Sequence, residues 1–296
     1  MNTESMNFQN KLYNMTTLVY TECTIEGITH AHSATGFFFV ESEPVKGEKE
    51  GWHRLGNWWL ITNRHVIYNK IDSKEYIIDI LKFNLRKKNN DKIEWLPIVI
   101  NKEELFERVK LLDDKDIDVV AINITNFITE FINKKDQSII YPFNLTTENF
   151  PKRTIEKIEV ADEVLIASYP LGFYDDYNNF PIVKSGIISS GWGLNFKNQK
   201  LFEVDIQLYP GSSGGLVISK PKNILFQNGT LYQSNEKQFV FLGIYSGEYI
   251  IKIPNDKDGK VEVIECKLGL GNVWYSEVVD EIIKKGKLLK IIEESN

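Results

Sequence analysis

Cysteine is nearly absent. The chain holds two among 296 residues, Cys23 and Cys266, so no framework of disulfides is expected and a reducing, cytoplasmic setting is the natural reading. Histidine is also scarce. His30, His32, His53 and His65 are scattered and form no metal-ligand cluster with the cysteines, so neither metal nor cofactor is called for. Long apolar runs are missing: none approaches the roughly 18–20 residues that cross a bilayer. The opening "MNTESMNFQNKLYNMTTLVY" lacks the basic start and apolar block of a secretory leader. No membrane association is expected. Excess positive charge is missing too, since the net charge is -6, which argues against a nucleic-acid partner.

What is present is strand signal. Short apolar, β-branched and aromatic runs recur: "ATGFFFVE", "NWWLITNRHVIY", "EYIIDILKF", "DIDVVAINI", "EVLIASYP", "LFEVDIQLY", "FVFLGIYSG" and "NVWYSEVV". Many short strands at irregular spacing predict an all-β protein, an antiparallel sandwich or pair of barrels. The aromatic group Phe37, Phe38, Phe39, Trp58 and Trp59 reads as core. Helical periodicity is sparse. "NKEELFERVKLL" predicts one helix capped by Asn101, and Val278, Val279, Ile282 and Ile283 make the apolar stripe of another, with Ser276 as cap and Gly286 as end. Residues 41–57, 219–238 and 253–263 read as polar hairpins, the second turning at Asn228-Gly229 and the third at Asp258-Gly259. Strand signal weakens between Asn133 and Lys157, where a boundary between two halves is expected.

The chemistry gathers at "YPGSSGGLVIS", Tyr209 to Ser219. Gly211-Ser212-Ser213-Gly214-Gly215 fits two serine-nucleophile patterns: the strand-to-helix elbow of α/β-hydrolases, G-x-S-x-G, and G-x-S-G-G, in which the backbone beside the serine forms an oxyanion hole. Chain order separates them. All four histidines precede Ser213, so the order serine, acid, histidine fails. No aspartate precedes His65, so the order aspartate, histidine, serine fails as well. Histidine, aspartate, serine survives. "WWLITNRHVI" reads as a buried strand ending at His65. "KDIDVVAINI" reads as a polar turn entering another buried strand. Its Asp116 and Asp118 are two apart and on a strand would face one side; Asp118, directly before the apolar run, is the better partner for the imidazole. Asp113 and Asp114 read as a solvated turn, and Ser212 would misplace the paired glycines were it the nucleophile.

These residues carry a resemblance. "LITNRHVI", "DVVAI" and "YPGSSGGLVI" resemble the histidine, aspartate and serine motifs of trypsin-like serine proteases, above all the Pro-Gly-x-Ser-Gly-Gly form of bacterial HtrA-like and trypsin-like peptidases without a PDZ domain. "SATGFFF", "SYPLGFYDD", "SGIISSG", "LGIYSG" and "GNVWYSEVVDEII" are similar to further segments of that family, so the likeness spans roughly Thr16 to Lys285. It implies a chymotrypsin-like fold: two antiparallel six-stranded β-barrels and a C-terminal helix. Residues 1–145 would carry His65 and Asp118, and residues 146–296 would carry Ser213, with the site in the cleft between. It implies acyl transfer on a protein or peptide substrate, with the backbone N–H groups of Gly211 and Ser213 as the oxyanion hole.

By the same resemblance Gln207 lies at the base of the primary pocket, and Ser246-Gly247-Glu248 forms its wall. Asp205 would position the serine loop. A neutral Gln207 gives the base no full charge. Glu248 is expected to face solvent; turned inward, it would restore a preference for basic residues from the side. The residue before the nucleophile is Ser212 where the family more often has Asp or Asn. A catalytically silent peptide-binding scaffold and an esterase on the same fold are the competing readings, and an activating protein partner is expected if the site is active.

Overall fold

The computed structural model describes residues 8–44, 53–71, 74–90, 92–151, 158–227, 230–257 and 260–293. The N-terminal half begins with helix α1 (Phe8–Met15) and strands β1 (Thr16–Ile25), β2 (Ile28–Pro44) and β3 (His53–Thr62). Helix α2 (Arg64–Ile67) follows, then β4 (Tyr68–Ile71), β5 (Lys74–Ile77), β6 (Ile80–Asn89) and β7 (Lys92–Asn101). Helix α3 (Lys102–Arg108), β8 (Val109–Leu111), β9 (Val120–Asn123), α4 (Thr125–Lys134) and β10 (Ile139–Ile140) complete it. The C-terminal half holds β11 (Glu163–Ser168), β12 (Ile182–Ile188), β13 (Leu201–Asp205), β14 (Gly215–Ser219), β15 (Lys222–Gln227), β16 (Thr230–Gln238), β17 (Phe241–Lys257) and β18 (Lys260–Tyr275). Helix α5 (Glu277–Lys285), β19 (Lys287–Leu288) and α6 (Leu289–Glu293) end the described chain.

The C-terminal half closes as a six-stranded antiparallel barrel in the order β11-β12-β13-β18-β17-β14. The N-terminal half is a nine-stranded antiparallel sheet, β10-β6-β1-β2-β3-β9-β8-β19 with β7 paired to β6. This sheet curls round one core: Val19 of β1, Phe38 of β2, Leu60 of β3, Phe83 of β6, Ile100 of β7 and Ile122 of β9 meet in a single cluster. The chain tail crosses back to this half, where β19 pairs with β8 and Leu289 enters the same cluster.

Strand alternation explains why the central runs are apolar at consecutive positions. Phe38, Leu60, Val120 and Ile122 point into the N-terminal core. Their neighbours Phe37, Phe39, Trp59, Ile61 and Ala121 point the other way, into a second cluster. On the far side Leu216 and Ile218 join that cluster, while Val164, Ile166 and Val217 fill the barrel interior. The seam between the halves is therefore a continuous apolar layer, and strands bordering it are buried on both faces. Helix α5 seals the layer with Val278, Val279, Ile282 and Ile283, the four residues of its sequence stripe.

Local details refine the sequence expectations. Asn101 caps α3 as part of a capping box with Glu104. Ser276 and Gly286 flank α5, but the Ser276 hydroxyl does not cap it. The run "NWWLITNRHVIY" is not one strand: β3 stops at Thr62, and His65 sits in the one-turn helix α2. The break follows from side-chain competition for backbone groups, since the buried Thr62 hydroxyl bonds the Thr35 carbonyl and Asn63 bonds the Asp118 carbonyl. His30 and His32 lie near the start of β2. Helices α1 and α4 were not legible in the sequence pattern. The turns at Asn228-Gly229 and Asp258-Gly259 lie outside the described residues; the pairs that flank them, Gln227 with Thr230 and Lys257 with Lys260, are in register.

Phe37 is fully buried in the seam and meets the Phe241 ring of the other half edge-on at 5.2 Å. Phe37→Ala should lower stability by about 3–5 kcal/mol, read as the shift in denaturant midpoint at constant slope. A shift of less than about 1 kcal/mol would contradict a packed seam.

Candidate active site

Three elements converge on the mouth of the cleft between the halves. Helix α2 presents His65 just after β3, the extended run into β9 carries Asp118, and the turn before β14 carries Ser213. Asp118 holds His65 twice. Its Oδ1 accepts the His65 backbone N–H at 2.9 Å, and its Oδ2 lies 2.7 Å from His65 Nδ1. Asp116, the other member of the pair, points elsewhere: it is exposed, and its backbone N–H bonds Asp114 in a local turn. Asp118 has further support. The Ser246 hydroxyl donates to Oδ2 at 2.5 Å, and Asn63 Nδ2 donates to the Asp118 carbonyl at 2.7 Å.

This arrangement fixes the imidazole tautomer. A carboxylate only accepts, so Nδ1 carries the proton and Nε2 is left with its lone pair. About half of the His65 side chain is open, against a quarter of Asp118. Loss of bulk water around the ring pulls its pKa down. The charge of Asp118 and the hydrogen bond to it push the other way and prevail, so His65 titrates above the ordinary imidazole value.

The serine turn is built on glycine. Gly211 and Gly214 have φ of 89° and 82°, a region that side-chain-bearing residues avoid. A Cβ on Gly214 would stand 2.0 Å from the Thr35 carbonyl oxygen, and one on Gly211 would stand 2.6 Å from the Tyr169 carbonyl oxygen. The backbone N–H of Leu171 donates to the Pro210 carbonyl at 2.6 Å. Because a trans peptide points its C=O and N–H in opposite directions, this bond turns the Gly211 N–H away from Leu171. Among the described residues, neither the Gly211 nor the Ser213 N–H has a backbone partner, whereas Ser212, Gly214 and Gly215 each donate to a carbonyl. The Ser213 hydroxyl donates to the Ser246 carbonyl at 3.1 Å.

His65 and Ser213 line one cleft of about 730 Å³, together with Gln207, Ser246, Gly247 and Glu248. Asp118 adjoins this cleft through its contacts to His65 and Ser246, and Gly211 lies in the turn that carries Ser213. Gln207 is exposed there, and its carbonyl accepts from Lys184. Glu248 differs from expectation. Its side chain is only 19% exposed, and its carboxylate faces Lys267 at 2.9 Å, so it belongs to the cleft wall. Asp205 lines the same cleft and is exposed. Among the described residues no group of three or more potential ligands could hold a metal ion, and no helix is long and apolar enough to cross a membrane.

Sequence reasoning missed three parts. Thr35 ties β2 to the serine turn. Its N–H donates to the Ser213 carbonyl at 2.8 Å, and its hydroxyl donates to the Gly211 carbonyl and accepts from the Tyr169 N–H, each at 2.9 Å. The hydroxyl of Ser246, expected only as pocket wall, supports Asp118. Lys267 faces Glu248. Each of these roles depends on long-range register and had no local signal.

The family model described as "Trypsin-like peptidase domain" matches residues 34–224, more than half of the chain, and the chain belongs to the trypsin-like peptidases. Among curated proteins none matches. Three solved structures are similar in overall trace. One is the scabies mite inactivated protease paralogue S-I1, at 12% identity, covering 94% of this chain and 99% of that one, with a TM-score of 0.43. Another is the MamO protease domain from Magnetospirillum magneticum in its apo form, at 11% identity, 92% and 96% coverage and 0.39. The third is the thermostable serine protease AL20 from an extremophilic microorganism, at 8% identity, 96% and 99% coverage and 0.42.

Gly214→Ala should be strongly destabilising, because strain at positive φ adds to a clash with backbone. Gly247→Ala, where a Cβ meets nothing within 4 Å, should leave the thermal midpoint nearly unchanged. Equal midpoints for the two variants would contradict the close approach of Thr35 to the serine turn.

Proposed function

We propose that the protein is a serine endopeptidase that hydrolyses peptide bonds through His65, Asp118 and Ser213. The observation that carries this reading is the pair of Asp118 contacts to His65, made in a cleft that also holds Ser213. His65 acts as general base. As Ser213 Oγ attacks the substrate carbonyl carbon, His65 Nε2 takes the hydroxyl proton, and Asp118 stabilises the resulting imidazolium. The attack requires Oγ to leave the Ser246 carbonyl, a rotation about one bond. The carbonyl oxygen becomes an oxyanion facing the N–H groups of Gly211 and Ser213, each worth about 10²–10³ in rate. Collapse of the tetrahedral intermediate expels the amine with the proton from His65. Water, deprotonated by the same imidazole, then attacks the ester, and Ser213 regains its proton.

The intact set of groups supports an active enzyme over a silent scaffold. The Leu171 bond to Pro210 supports the same reading, because it turns the Gly211 N–H away from Leu171 and leaves it without a backbone partner among the described residues before any substrate arrives. Preorganised donors of this kind carry much of the rate in such centres.

Casein hydrolysis tests the proposal. Ser213→Ala should abolish it with the fold intact, and Ser212→Ala should keep most of it. Asp118→Asn should lower turnover by roughly 10⁴ through the wrong imidazole tautomer, and Asp116→Asn should change little. Full activity of Ser213→Ala, or the reverse ranking of the aspartates, contradicts the assignment.

The pH dependence has a definite sign. His65 must be neutral to act as base, and its pKa is raised in the fold, so activity should rise with pH through a midpoint above the usual value of about 6.5. Ser246→Ala weakens the hold on Asp118 and should move that midpoint. A flat profile from about pH 5 to 9 with chemistry rate-limiting would exclude His65 as the base.

A further inference from the structure

A buried acid on the barrel takes no part in the proposed reaction. Glu203 of β13 is 1% exposed, and neither of its carboxylate oxygens has a hydrogen-bond partner among the described residues. Its neighbours Phe202 and Val204 fill the barrel interior. Strand alternation therefore turns Glu203 away from that interior, to the side of Asp205, which lines the cleft. A buried carboxylate without a partner is costly, and its presence calls for a reason.

The surroundings of Glu203 form a short relay to the cleft. The connection from β12 to β13, residues 189–200, is tied to it twice: the Ser189 N–H donates to the Glu203 carbonyl at 2.8 Å, and the Glu203 N–H donates to the Ser190 hydroxyl at 2.9 Å. The same connection carries Lys197, a cation whose charge reaches the carboxylate. Lys197 is engaged elsewhere. Its ammonium donates to the Tyr249 hydroxyl and stands 4.5 Å from the centre of that ring, on which Phe196 packs edge-on at 6.0 Å. Tyr249 directly follows Glu248, a residue of the cleft wall. On β17 the charge of Glu203 contributes to raising the pKa of Tyr245, and β18 sets the uncharged Asn272 opposite the acid. Loss of water pushes the Glu203 pKa up to about 7, with Lys197 pulling the other way, so the acid changes charge near neutrality.

We propose that Glu203 is a positioning residue for the cleft wall, switched by its own proton. Neutral, it leaves Lys197 on Tyr249. Ionised, it draws the Lys197 ammonium from the Tyr249 hydroxyl, because a cation offsets the cost of a buried carboxylate. Tyr249 then loses a contact that ties it to the connection, and the wall beside Glu248 loosens. The proton goes to solvent, and one hydrogen bond is exchanged for an ion pair. The effect on stability has a definite sign. The fold holds the proton more tightly than the unfolded chain, whose glutamates titrate at about 4.3. Stability therefore falls as pH rises from that value to about 7 and stays level above it. The switch concerns the shape of the wall and does not require that Ser213 cleave peptides.

Tryptophan emission, titrated over pH on the full chain carrying His65→Ala, tests this without turnover and without the titration of that imidazole. Trp192 reports on the connection, since it packs on Phe202 and Tyr275 at 4.9 and 5.2 Å. Emission should show a step at about pH 7 that disappears when Glu203→Gln is added. Lys197→Met should move the step up by about one unit by removing the cation, and Tyr249→Phe should move it down by freeing Lys197. Glu203→Gln should also raise the thermal midpoint more at about pH 8.5 than at about pH 5. No step, a step that survives Glu203→Gln, or a step that Lys197→Met leaves in place overturns the proposal. If Glu203→Gln fails to fold, the opposite shifts of Lys197→Met and Tyr249→Phe decide. Casein hydrolysis with His65 intact links the switch to the cleft. The rate of Glu203→Gln relative to the unmodified protein should rise about two- to tenfold between about pH 6 and 8.5, a ratio in which the His65 titration cancels. A constant ratio overturns the positioning role. A step that follows Glu203, without any cleavage, removes only the peptidase reading.

Discussion

The structure turns on the contact between Thr35 and the serine turn. Thr35 belongs to β2 of the N-terminal half, and the turn belongs to the barrel. Three hydrogen bonds join Thr35 to Ser213, Gly211 and Tyr169, and Gly214 lies so close to the Thr35 carbonyl that no side chain fits. His65 follows β3, the neighbour of β2 in the sheet. Fixing Thr35 against the turn therefore fixes the distance between the imidazole and the serine. The apolar seam of Phe37, Phe39, Ile61, Leu216 and Ile218 lies beneath this junction. It provides non-directional adhesion, while the Thr35 bonds provide register.

A second buried support lies behind the turn. Arg86 is almost wholly buried and donates to the Thr16 carbonyl, the Tyr169 hydroxyl and the Asn179 carbonyl. Its guanidinium also stands over the Trp95 ring at 4.8 Å. Burial lowers its pKa, and burial raises that of Tyr169. This network anchors the segment that begins at Tyr169, whose Leu171 N–H holds the Pro210 carbonyl. Leu171 itself has φ of 54°, an unfavourable conformation for a residue with a branched side chain. Local strain is accepted where a donor must be aimed.

The chemistry proposed for the site was legible in the sequence because its parts are local motifs. The glycine frame of Ser213 and the order of His65 and Asp118 are one-dimensional facts, and the alternation that buries Phe37, Phe38 and Phe39 on two faces follows from strand geometry. What was not legible depends on partners far apart in the chain. Nothing near Ser246 announces a hydroxyl aimed at Asp118, 128 positions away. Nothing near Glu248 announces Lys267, which the antiparallel pairing of β17 with β18 sets opposite Ile250, two residues along the strand from Glu248. The end of β3 at Thr62 was hidden for the same reason: a β-branched, apolar run reads as strand until the side chains of Thr62 and Asn63 find carbonyls on other segments. Local patterns thus pointed to His65, Asp118 and Ser213 as the proposed reacting groups, and tertiary register supplied the groups that hold them.

The central claim is that this register assembles a working nucleophile at Ser213. The most direct measurement is mass spectrometry of the intact protein and its peptides after exposure to a fluorophosphonate, which phosphonylates a serine only where a base and an oxyanion site activate it. The account predicts one adduct per chain, located on Ser213 and absent when His65 is replaced by alanine. An unlabelled protein, or an adduct on Ser212 or another serine, would contradict it.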